Sequence, residues 1–169
     1  MSPAAPLRIL VLTTVPQTLA AFFARQLRAL SEAGFEVHAA SSPGDLLDQV
    51  GRECSVPTHG VPMERQPNPL RDLVSLWRLL QLMRGLRPDV VHAHTPKAGL
   101  LGMMAAKLAG VPVRLYTVHG LPLLTRTGPL RRVLELTERS SAALATRVYC
   151  VSHSVRELVV ELGDRKSVV

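Results

Sequence analysis

The sequence predicts a doubly wound α/β domain, a parallel sheet with helices on both faces. Three observations carry that prediction. Six short apolar runs alternate with longer stretches whose apolar residues recur at helical spacing, so nearly every strand is followed by a helix. The chain has 169 residues, 47% hydrophobic and 20% charged, enough for one ordinary core and unlike a disordered tail. No internal repeat and no shift of composition marks a linker.

The first strand is Leu7 to Thr14. One basic residue, Arg8, precedes its apolar Ile9 to Leu12, and Thr13, Thr14 and Pro16 follow instead of a small-residue cleavage site, so a strand is expected there rather than a secretion signal. Pro16 suits an early helical position, and Leu19, Phe22, Phe23, Leu27 and Leu30 recur at helical spacing until Gly34 closes the helix. Phe35 to Ser41 is the second strand, and a short helix at Asp45 to Val50 leads to a weaker strand, Val56 to Val61. Gln66-Pro67-Asn68-Pro69 breaks the chain before the helix Leu70 to Gly85, which carries the one tryptophan, Trp77.

Arg87-Pro88-Asp89 then turns into the strand Val90 to His94. Pro96 starts a helix of small residues, Lys97 to Ala109. Gly99, Gly102, Ala106 and Ala109 fall near one face of it, which allows close approach to a strand or to a second domain. Gly110-Val111-Pro112 turns into the strand Val113 to Val118, which ends at His119-Gly120. A loop through Leu121 to Gly128, a helix from Pro129 to Ala145, a strand from Arg147 to Val151 and a helix from Ser152 to Gly163 complete the order. Ligands of such sheets meet the carboxyl ends of the strands, so functional residues are expected just after Val15, His94, His119 and Val151.

Composition narrows the function. The formal charge is +7, from 20 basic and 13 acidic residues, and only Lys97, Lys107 and Lys166 of the basic set are lysine. Such a surplus attracts phosphates, nucleic acid or anionic lipid. Aromatic residues make up 4%, too few stacking platforms for a reader of single-stranded nucleic acid, and no nucleic-acid partner is expected. Cys54 and Cys150 form no paired CxxC, which suits a reducing cytosol. The longest apolar stretch, Ala98 to Ala106, contains two glycines and falls far short of the ~20 residues of a membrane-spanning helix.

The turn Thr13-Thr14-Val15-Pro16-Gln17 lacks the glycines that let a backbone approach a pyrophosphate, and no P-loop is present, which argues against an NAD oxidoreductase or a simple NTPase. His92 and His94 share one face of a strand at a spacing metal sites use. No third ligand lies near in sequence, so the pair reads as lining a cleft or bonding locally, and no metal site is expected. His119-Gly120 places an imidazole at a strand end, where it can donate to a sugar hydroxyl or a phosphate oxygen, or be satisfied by neighbouring backbone. Thr95-Pro96-Lys97 sets a hydroxyl and an ammonium at a helix start, where the dipole disfavours a cation unless a negative group sits nearby. Ser152 reads as the cap of the last helix, or as a polar contact in the cleft. Arg71, Arg78, Arg84 and Arg87 accompany the Trp77 helix, and Arg126, Arg131, Arg132, Arg139 and Arg147 follow His119. These are solvated faces, or the basic, leucine-bearing surface of a protein docking on an anionic membrane, with Arg71, Arg78, Arg131 and Arg132 as the contacts.

The segments His92-Ala93-His94-Thr95-Pro96-Lys97-Ala98-Gly99 and Tyr116-Thr117-Val118-His119-Gly120 resemble the N-terminal domain of family 4 glycosyltransferases of the GT-B fold, especially bacterial enzymes of capsule, exopolysaccharide and O-antigen assembly. Arg8 to Thr14, Val90-Val91-His92 and Val148-Tyr149-Cys150-Val151-Ser152 with Arg156-Glu157 extend the resemblance over almost the whole chain. The resemblance implies two facing Rossmann-like domains, the C-terminal one holding most of the nucleotide-sugar donor and the N-terminal one the acceptor. It implies a retaining transfer without an obligatory metal or other cofactor. By its match to the family, His119 is the catalytic residue facing the donor sugar and its phosphate, and Gly120 lets the next loop cover it. Thr95 and Lys97 match the acceptor side, where Lys97 would meet a polyprenyl diphosphate-linked sugar. Thr14, His94 and Ser152, at the strand ends, complete the expected substrate-binding set.

Many relatives carry a Gly-Gly turn after the first strand, which Thr14-Val15-Pro16 lacks. The paired acidic donor motif of the C-terminal domain is also absent. Residues 1–163 are therefore expected to form the acceptor-side domain, and residues 164–169 to begin the crossing to a donor domain. Such a half is expected to be inactive alone and to lie at the inner face of the cell membrane. The alternatives are one subunit of a split transferase, and a non-catalytic module that binds an anionic partner or membrane.

Overall fold

The computed structural model describes residues 5–121 and 127–161. Six strands, β1 (Arg8–Leu12), β2 (Glu36–Ser41), β3 (Thr58–Gly60), β4 (Val90–His94), β5 (Val113–Val118) and β6 (Arg147–Cys150), pair in parallel in the order β3-β2-β1-β4-β5-β6. Parallel pairing needs a crossover between strands, and helices supply it. They are α1 (Pro16–Thr18), α2 (Ala24–Glu32), α3 (Asp45–Cys54), α4 (Pro69–Leu86), α5 (Pro96–Leu108), α6 (Gly128–Leu144) and α7 (His153–Glu161). The Rossmann-like, doubly wound architecture read from the sequence is the one observed.

Strand β1 shows why both faces are covered. Its residues alternate, Ile9 and Val11 entering one core with Leu27 and Leu47, and Leu10 and Leu12 entering the other with Leu79, Met83 and Leu101. Helices α2 and α3 close the first core, while α4, α5 and α6 close the second. The chain works outward to β3 and then returns to lay β4 against the other side of β1. The carboxyl ends of β1 and β4 are therefore the crevice where the winding reverses.

The small-residue face of α5 is spent on the sheet of this domain. A Cβ at Gly99 would stand 2.4 Å from Cε2 of Tyr116, and one at Gly102 would stand 2.4 Å from Cδ2 of Leu12. Both are closer than any side chain tolerates. Such overpacking in a core costs about 1–3 kcal/mol.

Three elements differ from the sequence reading. Helix α3 runs past Val50 to Cys54, because Leu47, Val50 and Cys54 continue one buried stripe across Gly51. Strand β3 is shorter than Val56 to Val61, since Pro57 has no N–H for a ladder, although Val56 and Val61 stay buried. Between α1 and α2, Leu19–Phe23 is wound as a π-helix. Its wider turn brings Leu19, Phe23 and Leu27 into line at four-residue spacing, so Phe22, expected in the core, is 75% exposed while Phe23 is buried.

Candidate active site

The carboxyl ends of β1, β4 and β5 gather most of the residues singled out from the sequence. Thr13 and Thr14 carry the bonding to β2 past the end of β1, the Thr13 N–H donating to the Ala40 carbonyl at 3.0 Å and the Thr14 carbonyl accepting from the Ser42 N–H at 3.2 Å. The Thr13 hydroxyl donates to the Val15 carbonyl at 3.0 Å, which shapes the turn into α1. The Oγ1 atoms of Thr14 and Thr95 lie 2.8 Å apart, and the Thr14 backbone N–H donates to Thr95 Oγ1 at 3.3 Å. These bonds tie the end of β1 to the end of β4. They also restrain Thr95, whose φ of +74° lies in a region that a β-branched residue enters only under strain.

On the α2 side of the sheet, His92 and His94 of β4 lie beside Thr117 and His119 of the β5 line. His92 Nε2 is 2.7 Å from Thr117 Oγ1, and His94 Nδ1 is 3.2 Å from His119 Nε2. Phe23, turned inward by the π-wound segment, stacks on His94 with ring centroids 3.9 Å apart and meets His119 edge-on at 5.6 Å. His94 is 1% exposed, and its Nε2 has no hydrogen-bond partner among the described residues. Burial, reinforced by the neighbouring histidines, lowers His92 to about 4 and His94 to about 2; burial also lowers His119. All three imidazoles are neutral at neutral pH, so the site offers hydrogen bonds rather than positive charge. Among the described residues no group of three or more His, Cys, Asp or Glu is placed to hold a metal ion.

The expected ligand contacts divide by depth. His119, Gly120 and Ser152 are exposed, and Thr95 and Lys97 are half-buried. Thr14, at 3% exposure, and His94 lie behind that surface, with Thr14 holding Thr95 and His94 meeting His119. Gly120 has no left-handed φ, and nothing stands within 4 Å of where a Cβ would be. Its smallness leaves room beside His119 and is not used for a sharp turn. Ser152 caps α7, its Oγ accepting from the Val155 N–H at 3.3 Å. The loop at residues 122–126 and the expected crossing at residues 164–169 lie outside the described residues.

Lys97 shows what the sequence could not. Its ammonium donates to Asp72 Oδ1 at 2.7 Å and to the Gln66 carbonyl at 2.5 Å. The negative group that makes a lysine tolerable at a helix start is thus supplied within the chain, 25 residues away in sequence. Asp72 also accepts from the Asn68 N–H, while Asn68 Oδ1 caps α4 at the Arg71 N–H. One carboxylate joins the first turns of α4 and α5. The other missed group is Glu138 of α6, 5% exposed and accepting from the Tyr116 hydroxyl at 2.8 Å; burial raises its carboxyl to about 7.

The fold is like that of HepE from Anabaena, solved in complex with UDP and glucose, with a TM-score of 0.68 and 17% identity over 96% of this chain and 44% of that one. Higher identity comes from two curated relatives. The capsular polysaccharide biosynthesis glycosyltransferase CapM of Staphylococcus aureus is 36% identical over 135 residues, 80% of this chain and 35% of that protein. The UDP-Gal:alpha-D-GlcNAc-diphosphoundecaprenol alpha-1,3-galactosyltransferase of Escherichia coli is 34% identical over 118 residues, 69% of this chain and 30% of that protein. The chain thus spans about a third of the length of the curated relatives it matches. Residues 18–169 match the model of the glycosyl transferase 4-like domain, and the chain belongs to that family.

Proposed function

We propose that this domain is the acceptor side of a retaining glycosyltransferase that moves a sugar from a nucleotide-sugar to a lipid-linked saccharide in surface polysaccharide synthesis. The observation that carries the reading is His119, an exposed neutral imidazole at the carboxyl edge of the sheet, backed by a buried histidine and beside the crevice where β1 and β4 part. There it donates to a sugar oxygen or leaving-group oxygen as charge develops, which is the help that departure of a nucleoside diphosphate requires. A second, C-terminal domain supplies most of the grip on the nucleotide, and neither domain uses an obligatory metal.

The acceptor class is supported by what the first three turns of α4 and α6 display at the same edge. Helix α4 exposes Leu70, at 82%, with Leu73, Val74 and Trp77, and its Leu70, Arg71, Val74, Ser75 and Arg78 line a groove of about 400 Å³ with Pro62 and Glu64, where Glu64 pairs with Arg71. Helix α6 exposes Leu130, Val133 and Leu136 beside Arg131 and Arg132. Apolar side chains interleaved with arginines match the boundary between acyl chains and phosphates at the cytoplasmic face of a membrane. Among the described residues no helix is long and apolar enough to cross a bilayer.

The test is transfer of labelled sugar to a polyprenyl diphosphate saccharide by an enzyme that contains this domain. His119→Ala is expected to lower kcat about 100-fold with the fold intact. Wild-type turnover in that variant rejects the role of His119, and robust transfer by residues 1–169 alone rejects the two-domain reading. Co-sedimentation with anionic vesicles, unchanged when Arg131 and Arg132 are both replaced by alanine, removes α6 from the membrane contact.

A further inference from the structure

We propose that His94 is a positioning residue, which fixes the His119 imidazole in the tautomer that carries its proton on Nδ1. Two neutral imidazoles meeting through Nδ1 of His94 and Nε2 of His119, 3.2 Å apart, share one proton on that line. Two arrangements satisfy it. In the first, His94 Nδ1–H donates, His94 Nε2 is a bare lone pair, and His119 keeps its proton on Nδ1. In the second, His119 Nε2–H donates, and His94 carries its proton on Nε2.

The surroundings of His94 choose between them. Its Nε2 is shut off from solvent and has no partner among the described residues, with Phe23 stacked at 3.9 Å and the His92 ring at 4.1 Å. The second arrangement strands an N–H donor there, and among buried backbone groups an orphaned N–H is rarer than an under-satisfied acceptor, a preference that carries over to a ring N–H. The first leaves only an unbonded acceptor lone pair. Phe23 packs against both rings and restricts their rotation, so the proton pattern is fixed before any substrate arrives. His119 then presents a donor N–H on the nitrogen not bound to His94. A tautomer held from behind by a second group is the arrangement by which an imidazole is given one chemical role.

The use made of that proton rests on the glycosyltransferase reading, while the tautomer itself does not. Long-range proton–nitrogen NMR of the 169-residue chain labelled at histidine reads the tautomer directly. The expected result is a protonated Nδ1 and a bare Nε2 on His119, and a protonated Nδ1 on His94. A protonated Nε2 on His119, or a mixture of tautomers in the wild-type chain, overturns the proposal. In His94→Phe, which keeps a flat ring for Phe23 to stack on, His119 is expected to become a mixture and its pKa to move toward 6.5, and an unchanged His119 in a folded variant overturns the proposal as well. In an enzyme containing the domain, His94→Phe is expected to lower kcat about 10-fold with KM little changed and to shift the pH profile. Fixed tautomers with no effect on transfer leave the NMR result standing and reject the glycosyltransferase use of it.

Discussion

Two pairs of histidines bridge neighbouring strands of this sheet with nearly the same geometry and opposite surroundings. His38 of β2 and His59 of β3 meet Nδ1 to Nε2 at 3.0 Å, and His94 and His119 meet at 3.2 Å. The first pair is tied to charge: His38 Nε2 lies 3.1 Å from Glu36, which accepts two bonds from the Arg8 guanidinium, and Arg8 in turn reaches the Leu86 carbonyl. Those bonds hold the Glu36 carboxyl below its ordinary range. The second pair has no carboxylate partner among the described residues and ends in a buried nitrogen without a bond. A finished network braces a sheet edge, whereas the unfinished and uncharged one stands at the carboxyl edge proposed above to meet substrate.

The contrast breaks most sharply in acid. His92 and His94 titrate lower in the folded chain than the ~6.5 of an exposed histidine, so below that pH the unfolded chain binds protons that the folded one refuses. The contribution of these histidines to stability is then complete above pH 6.5 and falls as the pH drops toward 4, by about 3 kcal/mol for His92 alone. Urea unfolding of wild type and His92→Asn at pH 7.5, 5.5 and 4.5 reads the effect as a flatter slope in the variant. Equal slopes deny that burial sets the state of this cluster.

Glu138 sharpens the comparison from the other side, as a buried carboxyl bonded to a tyrosine and to no histidine. Its folded pKa is raised to about 7, so the sign reverses. Its contribution is complete below about pH 4.5 and is lost as the pH rises through 7. Glu138→Gln is expected to gain on wild type by about 3 kcal/mol between pH 4.5 and pH 8, as read by denaturant midpoints. The smallest effect belongs to the finished network. Glu36→Gln releases Arg8 and His38, and a fall of about 2–4 °C in Tm is expected with transfer unchanged. A large loss of transfer would join the two histidine pairs into one system.

How much of this was legible varies with the distance over which the information acts. Strands β1, β4 and β5 were readable because Ile9 to Leu12, Val90-Val91 and Leu115 to Val118 are β-rich runs bounded by turns. The strand ends were readable too, and with them His119 and Thr95, because a doubly wound sheet concentrates ligands there. Phe22 and Phe23 were not separable, since a helix of 3.6 residues per turn admits both and only the π-wound turn chooses. The partners His94–His119, Lys97–Asp72 and Tyr116–Glu138 are 25, 25 and 22 residues apart. Pairing of that range is set by register and by which helices adjoin, and no local pattern encodes it.

The glycines of α5 carry a mechanical consequence. With no room for a methyl group over Tyr116 or Leu12, the helix is keyed to the sheet like a shaft in its slot. A slide of one residue would drive Ala98 or Leu100 toward the Tyr116 ring, so α5 cannot shift along its axis without unpacking the core. The threonine–histidine floor beside its first turn is then a fixed anvil. Movement of that floor then takes α5 and the sheet together, as one body.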